Sequence, residues 1–414
     1  MTKKVVSAFL GAALIGTLFT GSILGAPKVS GKITFSSHRT DFATTVLPAI
    51  VKNFNKIYPN VKVEIETIKD YQPAMKIKMA SDDLPDVWSV HNDYYSKEQL
   101  QQFNLPLNSF SFTKDFLGTD GFKGADGKIY ALPLGMNTTG VVYNKKIFAK
   151  LGLKVPQTLD EFVAAGKKIS AAGYVGLATA AKAGWPLQYF WQDIPKFISG
   201  DSDVRNKLAK VDEPFTPSNA VYKSYAILKR FADEKIIEKD PLSADWEPMK
   251  QEFRAGKVGM FLLGNWFVPQ ALGSALKMED VGFFPFPYDN KPGPKNVILG
   301  PDLGLAIAKN SKNLPAAKAF FTFMMTTNYA DYAKTCGLLS ANKKRPVDLP
   351  YVKEFNACKP VILPSIGDTQ AQADIRNKAQ FDYNSFGQEI LGGKDLKAAF
   401  TELNAKWKKA KQSL

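Results

Sequence analysis

The feature that most constrains the fold is an alternation of strand-like runs with an amphipathic helix. The globular part begins with a β-prone run (KITFSSH), continues with apolar residues spaced by three and four between Ala43 and Ile57, and returns to an alternating run (VKVEIE). Thr40 or Asp41 can cap this helix. A strand, a helix and a second strand in this order form a right-handed crossover with parallel strands. A second unit follows, from YQPAMKIKMAS to PDVWSV, so the sequence predicts an α/β fold.

The chain is long enough for more than one domain. Its 414 residues exceed what one hydrophobic core usually organises, so two domains are expected. Hydrophobic residues make up 45% of the chain, which is enough to fill two substantial cores. No long apolar run follows Leu24, and this excludes a polytopic membrane protein.

The N-terminus combines positive charge with an apolar stretch. Lys3 and Lys4 precede apolar residues that extend to about Leu24 and end in small residues, a layout typical of a secretory signal peptide. A retained membrane anchor is the alternative, since about 20 apolar residues can span a bilayer. Interspersed Gly, Ser and Thr favour cleavage near Ala26. We therefore expect residues 1–26 to be a signal peptide and the mature protein to be periplasmic or extracellular.

The chain is strongly basic, with a formal charge of +15. Such a charge can serve nucleic acid, an anionic surface or an acidic ligand. The basic residues are scattered, however, except in the C-terminal run KWKKAK, where lysines lie opposite an apolar stripe at helical spacing. The stripe consists of Leu396, Phe400, Leu403 and Trp407. A docked terminal helix explains this pattern better than nucleic-acid binding, so no nucleic-acid partner is expected.

Cys336 and Cys358 are the only cysteines in the sequence. Without histidines nearby they do not make a structural zinc site, and no metal or cofactor is expected. In an exported protein they can pair, and closing a loop of this length contributes roughly 3 kcal/mol in the chain-entropy model. The sequence predicts a Cys336–Cys358 disulfide, with two free thiols as the alternative.

Polar residues follow the first and third predicted strands, at the edge where open α/β sheets bind ligands. The only two histidines, His38 and His91, lie at these two exits. A metal pair or a catalytic dyad is the alternative use, but no third histidine and no nucleophile motif accompanies them. Hydrogen bonding from a cleft loop is favoured. The candidate ligand-binding residues at these exits are His38, Arg39, Asp41, His91, Asn92 and Asp93.

A set of motifs resembles one protein family. The middle of the chain contains DGKIYALPLGMNTTGVVYNKKIFAKLGL and then VPQTLDEFVAAGKKI. Family 1 extracellular solute-binding proteins, the group of maltose-binding protein, carry a Tyr-Asn-Lys strand end, a helix with Phe, and Pro–x–Thr–x–x–Glu at the next helix. The matching residues here are Tyr143, Asn144, Lys145, Phe148, Pro156, Thr158 and Glu161. The last motif also has a purely structural explanation, a capping box of Thr158 and Glu161.

The resemblance covers nearly the whole mature chain. Early signatures of the family resemble FNKIYPNVKVEIE and MASDDLPDVW, and later ones resemble FRAGKVGMFLLGNWFVPQAL and LGLAIAKNSKNLPAAKAFFTFMM. The end of the apolar N-terminal segment also resembles a lipoprotein box. Ala26 stands there in place of the lipid-bearing cysteine, so no lipid anchor is expected.

The resemblance implies a two-lobed, periplasmic-binding-protein-like fold of type II. Each lobe would be a mostly parallel sheet flanked by helices, and hinge crossings would make both lobes discontinuous in sequence. The first lobe would hold 27–136 and 300–335, and the second 137–299 and 336–414. The first two crossings fall at PLGMNTT and ILGPDLG, and the third near CGLLS, beside the predicted disulfide.

The resemblance also implies a function without catalysis. Members of the family are substrate-binding components of ABC importers, which capture a carbohydrate between the lobes and deliver it to membrane permease subunits. We expect this chain to bind an oligosaccharide, as a monomer, and not to be an enzyme.

Sugar chemistry indicates which side chains such a site needs. Aromatic rings cover the apolar face of a pyranose, and polar side chains bond its hydroxyl rim. By resemblance, Asn137 is a polar contact at the hinge, Trp266 stacks on the sugar, and Trp185 approaches it. Asn137 also fits a role on hinge backbone, and both tryptophans also fit a core. The remaining candidates are Asn265, Trp246 and Asp302, the last being a ligand carboxylate or a cap.

Two other classes of function stay open from the sequence. A secreted glycoside hydrolase needs two carboxylates at a controlled separation; Asp41, Asp93 and Asp302 are available, but their spacing selects no pair. A receptor of the same fold for a non-sugar ligand is the second class. Arg39 suits an acidic solute, and the adjacent tyrosines after His91 suggest a ferric-ion receptor.

Overall fold

The computed structural model describes residues 29–68, 71–91 and 94–414, so the predicted signal peptide lies outside the described residues. The strands within them are β1 (Gly31–Ser37), β2 (Val61–Thr67), β3 (Val87–Val90), β4 (Leu132–Pro133), β5 (Met136–Asn144), β6 (Val175–Ala178), β7 (Val258–Gly264), β8 (Val281–Phe284), β9 (Asn296–Pro301), β10 (Gly304–Ile307) and β11 (Val361–Leu363).

The helices in the same part of the chain are α1 (Val46–Asn55), α2 (Tyr71–Ala80), α3 (Lys97–Phe103), α4 (Lys145–Lys150), α5 (Leu159–Ala171), α6 (Tyr189–Gln192), α7 (Ile194–Ser199), α8 (Val204–Lys207), α9 (Ala220–Asp233), α10 (Trp246–Arg254), α11 (Phe267–Gln270), α12 (Leu314–Met325), α13 (Tyr329–Thr335), α14 (Pro350–Ala357), α15 (Gln370–Lys378), α16 (Tyr383–Leu391) and α17 (Leu396–Gln412). None of these described helices is both long and apolar enough to cross a membrane.

The first sheet has the strand order β2–β1–β3–β10–β4. Strand β1 is parallel to β2 and to β3, as the crossover pattern predicts. The apolar face of α1 covers this sheet through Leu47, Ile50 and Phe54, which join one buried cluster with Ile33 and Phe35. This cluster is called the first core below.

The second sheet has the order β11–β9–β5–β7–β6, with β8 also paired to β5. Strand β5 is antiparallel to β7, β8 and β9, while β6 is parallel to β7 and β11 is parallel to β9. Two neighbouring buried clusters surround this sheet and are called the second core below. Helix α17 buries Phe400, Leu403 and Trp407 there, which confirms its predicted apolar stripe.

In each of the two described sheets one strand is antiparallel to its neighbours. This strand is β5 in the second sheet and β10 in the first, and each lies just after a place where the chain passes between the sheets. The two passages lie side by side, because Met136 pairs with Pro301 and Asn137 with Gly300. The backbone of Met136 also exchanges two hydrogen bonds with Leu339, at 2.8 and 2.9 Å. These hydrogen-bonded segments, 136–138, 299–301 and 339, are called the hinge below.

The third passage between the sheets lies later than the sequence suggests. Cys336, Leu338 and Ala341 are all packed in the first core, although the predicted division begins the second lobe at 336. The next buried hydrophobic residues, Leu349 and Tyr351, belong to the second core. The chain therefore leaves the first core between 341 and 349.

The predicted disulfide is wrong in this structure, where both cysteines are free thiols. Cys336 is buried in the first core, whereas Cys358 packs against the second core, at the end of α14. The physical reason is the later third passage, which separates the two cysteines into different cores.

Two predicted helix caps differ from the structure. Helix α1 starts only at Val46, so neither Thr40 nor Asp41 caps it; these residues form a short 3-10 turn instead. Thr158 does cap α5 by accepting from the Glu161 amide at 3.2 Å. The Glu161 carboxylate accepts from the amide of Gln157, at 2.6 Å, in place of the Thr158 amide that a capping box requires.

Candidate functional site

A carboxylate and an amide meet at the hinge. Asn137, on β5, donates from Nδ2 to Oδ1 of Asp302 at 2.7 Å, and the Asp302 amide donates to the Gly135 carbonyl at 3.0 Å. Burial raises the pKa of the Asp302 carboxyl, while the Asn137 hydrogen bond and electrostatic interactions with His91 and Arg39 oppose that rise. Asp302 lies between β9 and β10 and caps no helix. It is therefore available to a ligand that binds at the hinge.

A second carboxylate, that of Asp193, is bonded by a residue on the same strand. Thr139 lies two residues after Asn137 on β5, so both side chains project from one face of the sheet. The Thr139 hydroxyl donates to Oδ2 of Asp193 at 2.5 Å. Asp193 stands between α6 and α7 without capping the second helix. The sequence prediction missed Asp193, since the run WQDIP offers no signal beyond an acidic residue before a proline.

Three half-buried tryptophans form a continuous aromatic surface beside these carboxylates. The ring centroids of Trp185 and Trp246 are 4.8 Å apart, and Trp266 lies 5.8 Å from the first and 6.0 Å from the second. Trp246 begins α10, and Trp266 lies two residues after the end of β7. Trp266 packs against both cores, so it lies where the two sheets approach each other. These three residues are called the tryptophan wall below.

A glycine and a tyrosine hold the wall in place. A Cβ atom on Gly264 would lie 2.3 Å from Nε1 of Trp266, so only glycine at this position lets the indole fold back over the strand end. The buried Tyr189 hydroxyl lies within hydrogen-bonding reach of the same indole. Burial, followed by the charge of Asp193, raises the pKa of Tyr189, so this hydroxyl stays neutral.

Asn265 immediately precedes Trp266 of the tryptophan wall, but its side chain forms hydrogen bonds with backbone at the hinge. The side chain is 1% exposed, and its Oδ1 accepts from the Thr138 amide at 2.7 Å. Its Nδ2 donates to the Gly337 carbonyl at 2.6 Å. Both polar ends are thus used by backbone at two passages of the chain. Asn265 therefore links two backbone segments at the hinge, and its role as a ligand contact stays a prediction.

The loop after β1 presents a pre-assembled ion pair. Arg39 donates from Nε and from a terminal nitrogen to the two oxygens of Asp41, at 2.8 and 2.7 Å. The guanidinium lies 3.6 Å from the ring centroid of Phe42 and is 8% exposed. Burial alone would raise the pKa of Asp41, but the hydrogen bonds and charge of Arg39, with the charge of Lys250, hold it below its usual value.

The two histidines at the strand exits lie within electrostatic range of each other. Burial, then the charge of Arg39, lowers the pKa of His38 to about 3, with His91 contributing in the same direction. His38 is therefore a neutral imidazole at physiological pH. Its buried Nδ1 atom has no hydrogen-bond partner among the described residues. A neutral imidazole offers one donor and one acceptor, which suits a hydroxyl group.

The end of the third strand is only partly described. The His91 ring lies 4.9 Å from the ring of Tyr94, which is half exposed. The predicted residues Asn92 and Asp93 lie outside the described residues. Tyr95 is buried and donates from its hydroxyl to Gln72 at 2.7 Å, so it is not free to bind a ferric ion. The described residues contain no group of three or more His, Cys, Asp or Glu placed to hold a metal ion.

The predicted site residues thus fall into three groups around the hinge. The first sheet contributes His38, Arg39, Asp41 and His91; the hinge contributes Asn137 and Asp302; the second sheet contributes Trp185, Trp246 and Trp266. Asp302 interacts electrostatically with Arg39 and His91, and Tyr189 lies near both Asp302 and Trp266. The three groups therefore converge on one region between the sheets, where a ligand can touch both.

The chain is similar in sequence to proteins that are named as sugar-binding proteins. The "Multiple sugar-binding protein" of Streptococcus mutans is 29% identical over 298 residues, which are 68% of this chain and 68% of that protein. The "Melibiose/raffinose/stachyose-binding protein MelE" of Bacillus subtilis is 25% identical over 330 residues, 78% of this chain and 76% of that protein. Both likenesses extend over most of the two proteins.

Solved structures share the whole fold. The BlMnBP1 binding protein of an ABC transporter from Bifidobacterium animalis subsp. lactis, in complex with mannobiose, superposes with a TM-score of 0.79 and 25% identity, over 93% of this chain and 96% of that chain. The fold is thus the two-lobed α/β fold of solute-binding proteins. The family model for the bacterial extracellular solute-binding protein matches residues 38–330. This chain therefore belongs to the bacterial extracellular solute-binding protein family.

Proposed function

We propose that this protein is the substrate-binding component of an ABC importer and that it captures a carbohydrate, an oligosaccharide, between its two lobes. The observation that carries the proposal is the tryptophan wall beside two carboxylates that are held by neutral donors, Asn137 on Asp302 and Thr139 on Asp193. Indole faces suit the C–H face of a pyranose, and carboxylate oxygens accept from its hydroxyls. The relatives whose names state a ligand bind sugars.

In the proposed complex each face of the cleft has its own role. Trp266, Trp185 and Trp246 would stack on the sugar rings, while Asp193 and Asp302 accept from hydroxyls. The first sheet would add His38 and Asp41 when the lobes close, with Asn92 and Asp93 as further predicted contacts. Binding energy would then shift the equilibrium between open and closed lobes toward the closed form that the permease recognises.

The contacts of Arg39 favour a neutral sugar over an acidic one. Its guanidinium is already engaged by both oxygens of Asp41 and by the face of Phe42. A uronide carboxylate would have to displace Asp41, and it would approach Asp193 and Asp302 as well. Like charges at short range in a partly buried site are unfavourable.

The remaining parts of the proposal concern the mature protein. We infer two lobes, the first built on the β2–β1–β3–β10–β4 sheet and the second on the β5-containing sheet, with the third passage between 341 and 349. The protein would be exported, act as a monomer in delivering sugar to the permease subunits, and carry out no catalysis. An absence of turnover would separate it from a secreted glycoside hydrolase, for which Asp41, Asp93 and Asp302 are the available carboxylates.

A sugar screen by thermal shift tests the function directly. The mature protein is heated with mannobiose, raffinose, melibiose, stachyose and a uronide disaccharide, because a ligand that binds only the folded state raises the Tm with the logarithm of its concentration over Kd. We expect at least one neutral oligosaccharide to raise the Tm and to bind in calorimetry. The same sugar should be recovered chemically intact after incubation. No response to any sugar, or release of monosaccharides during incubation, would contradict the proposal.

A further inference from the structure

A buried glutamate, Glu238, lies in the loop between α9 and α10. The residue is 9% exposed, and its carboxylate accepts three hydrogen bonds from residues that directly follow β6. Oε1 accepts from the amides of Thr179 and Ala180, at 2.6 and 2.9 Å, and Oε2 accepts from the Thr179 hydroxyl at 2.9 Å. Burial raises the pKa of this carboxyl, while hydrogen bonds from Ala180, from its own backbone and from Thr179 oppose that rise. The carboxylate is thus committed to one short segment of the chain.

The backbone that Glu238 binds has a conformation that residues with a Cβ atom rarely adopt. Ala180 has a φ of +48° and a ψ of +42°, in the left-handed region, which is unfavourable for alanine. Two consecutive amides that donate to one carboxylate oxygen stabilise this conformation. A single 3-10 turn over 181–183 and Gly184, with a φ of +74°, then lead directly to Trp185 of the tryptophan wall. The direction of the chain at Ala180 therefore determines where the indole of Trp185 lies.

The loop between α9 and α10 also leads to a second member of the wall. Near the end of this loop, the Ala244 carbonyl accepts from the Lys182 amide at 3.0 Å. The next residue, Asp245, caps α10 by accepting from the Trp246 amide at 2.8 Å. The loop is therefore bonded to the 179–184 segment at two points, and the second of these points adjoins the start of α10.

We propose that Glu238 is a positioning residue for the tryptophan wall. By bonding the segment before Trp185 to the loop before Trp246, it sets the separation of the two indoles, whose ring centroids lie 4.8 Å apart, and hence the fit of the wall to a sugar ring. The inference rests on the proposed sugar-binding function. Glu238 contacts no ligand in this scheme, because the 179–184 segment occupies both of its carboxylate oxygens.

Circular dichroism tests the positioning without any sugar. Indoles in close contact couple their excited states, and the coupling gives paired bands of opposite sign in the far ultraviolet. We expect Glu238→Ala to lose most of the signal that Trp185→Phe removes. Glu238→Gln should keep the signal, because its amide can still accept from both backbone amides and can donate to the Thr179 hydroxyl oxygen. An unchanged signal in Glu238→Ala would overturn the proposal.

A double-mutant cycle on sugar affinity tests the consequence for binding. Glu238→Ala, Trp185→Ala and the double variant are measured by calorimetry with the sugar found in the screen. We expect Glu238→Ala to weaken Kd roughly tenfold in the otherwise unaltered protein, and to have little further effect in Trp185→Ala, because the indole that it positions is then missing. Glu238→Gln should restore the Kd. Additive losses would overturn the proposal, since they would mean that Glu238 acts independently of Trp185.

Control variants separate this inference from the function itself. Asp240→Ala removes an exposed carboxylate from the same loop and should leave both the dichroism signal and the Kd unchanged. Gln388, on α16, donates to the Ala181 carbonyl at 2.8 Å and holds the segment from another side, so we expect Glu238→Ala to fold. If it does not fold, Glu238→Asp, whose shorter side chain cannot reach all three donors, replaces it in both experiments. Failure of every sugar to bind the unaltered protein contradicts the proposed function, whereas the dichroism comparison still decides the role of Glu238.

Discussion

The two faces of the cleft are built differently. On the first sheet, polar groups hold one another: Arg39 grips Asp41 through two hydrogen bonds and stacks on Phe42. On the second sheet, indoles hold one another, and the neighbouring carboxylate of Asp193 is bonded by a neutral hydroxyl. Under the proposed function, the second face would supply apolar area for affinity, and the first face would supply fixed polar groups for selectivity.

The largest expected effect comes from removing the centre of the tryptophan wall. Trp266→Ala should weaken sugar binding by about 3 kcal/mol, or roughly a hundredfold, because a stacked aromatic anchor carries most of the energy of such a site. Trp266→Phe should recover part of the loss. Calorimetry provides the measurement, and Tyr174→Ala, a change of an aromatic residue beside Lys150 and away from the wall, is the control. Unchanged Kd in Trp266→Ala would remove the distinction between the faces.

On the first face, His38 should make the free energy of unfolding depend on pH. The folded pKa of His38, about 3, lies below the value of about 6.5 expected when unfolded, so the unfolded state gains a proton first as pH falls. Its contribution to stability is therefore complete above about pH 6.5 and declines toward pH 3. By pH 4.5 the loss should be about 3 kcal/mol.

Chemical denaturation at pH 7 and pH 4.5 measures this effect. His38→Asn should lose less stability between the two values than the unaltered protein does, because asparagine does not titrate. An equal loss in both proteins would show that His38 takes up its proton normally and is not the neutral, buried donor and acceptor inferred for the first face.

Asp302, at the hinge between the faces, should separate stability from binding. Burial raises its folded pKa, so the carboxylate costs stability once pH rises above its unfolded value near 4. Asp302→Asn should therefore raise the Tm at pH 7, yet weaken sugar binding by about 1.5 kcal/mol through loss of a charged acceptor. The Tm and the calorimetric Kd are measured on one preparation. A variant that loses Tm and keeps its affinity would assign Asp302 a structural role only.

The smallest expected effect is that of reducing agent on the two cysteines. They lie in different cores, so a reducing agent should change neither the Tm nor the mass of the protein. Burial raises the pKa of the Cys336 thiol to about 12, so this thiol in the first core should resist labelling in the folded protein. Cys358, only partly buried, should react faster. A mass lower by two hydrogens without reductant would restore the predicted disulfide.

Local patterns in the sequence were enough to predict several elements and the family. Apolar periodicity is local, so β1, α1 and β2 follow from residues that are neighbours in the chain, as does the buried stripe of α17. The order of the motifs identified the family because it depends on many separated positions. The aromatic candidates could be named in the same way, since Trp266 follows a recognisable strand end.

Which polar side chains contact each other could not be predicted without the folded structure. Asp41 was a reasonable helix cap by local rules, but Arg39 engages it; Asn265 was a reasonable ligand contact, but backbone at two chain passages occupies both its ends. Asp193 gave no local signal at all. Its contact with Thr139 joins residues far apart in sequence, because the chain passes between the sheets three times and contacts made across those passages leave no periodic trace in the sequence.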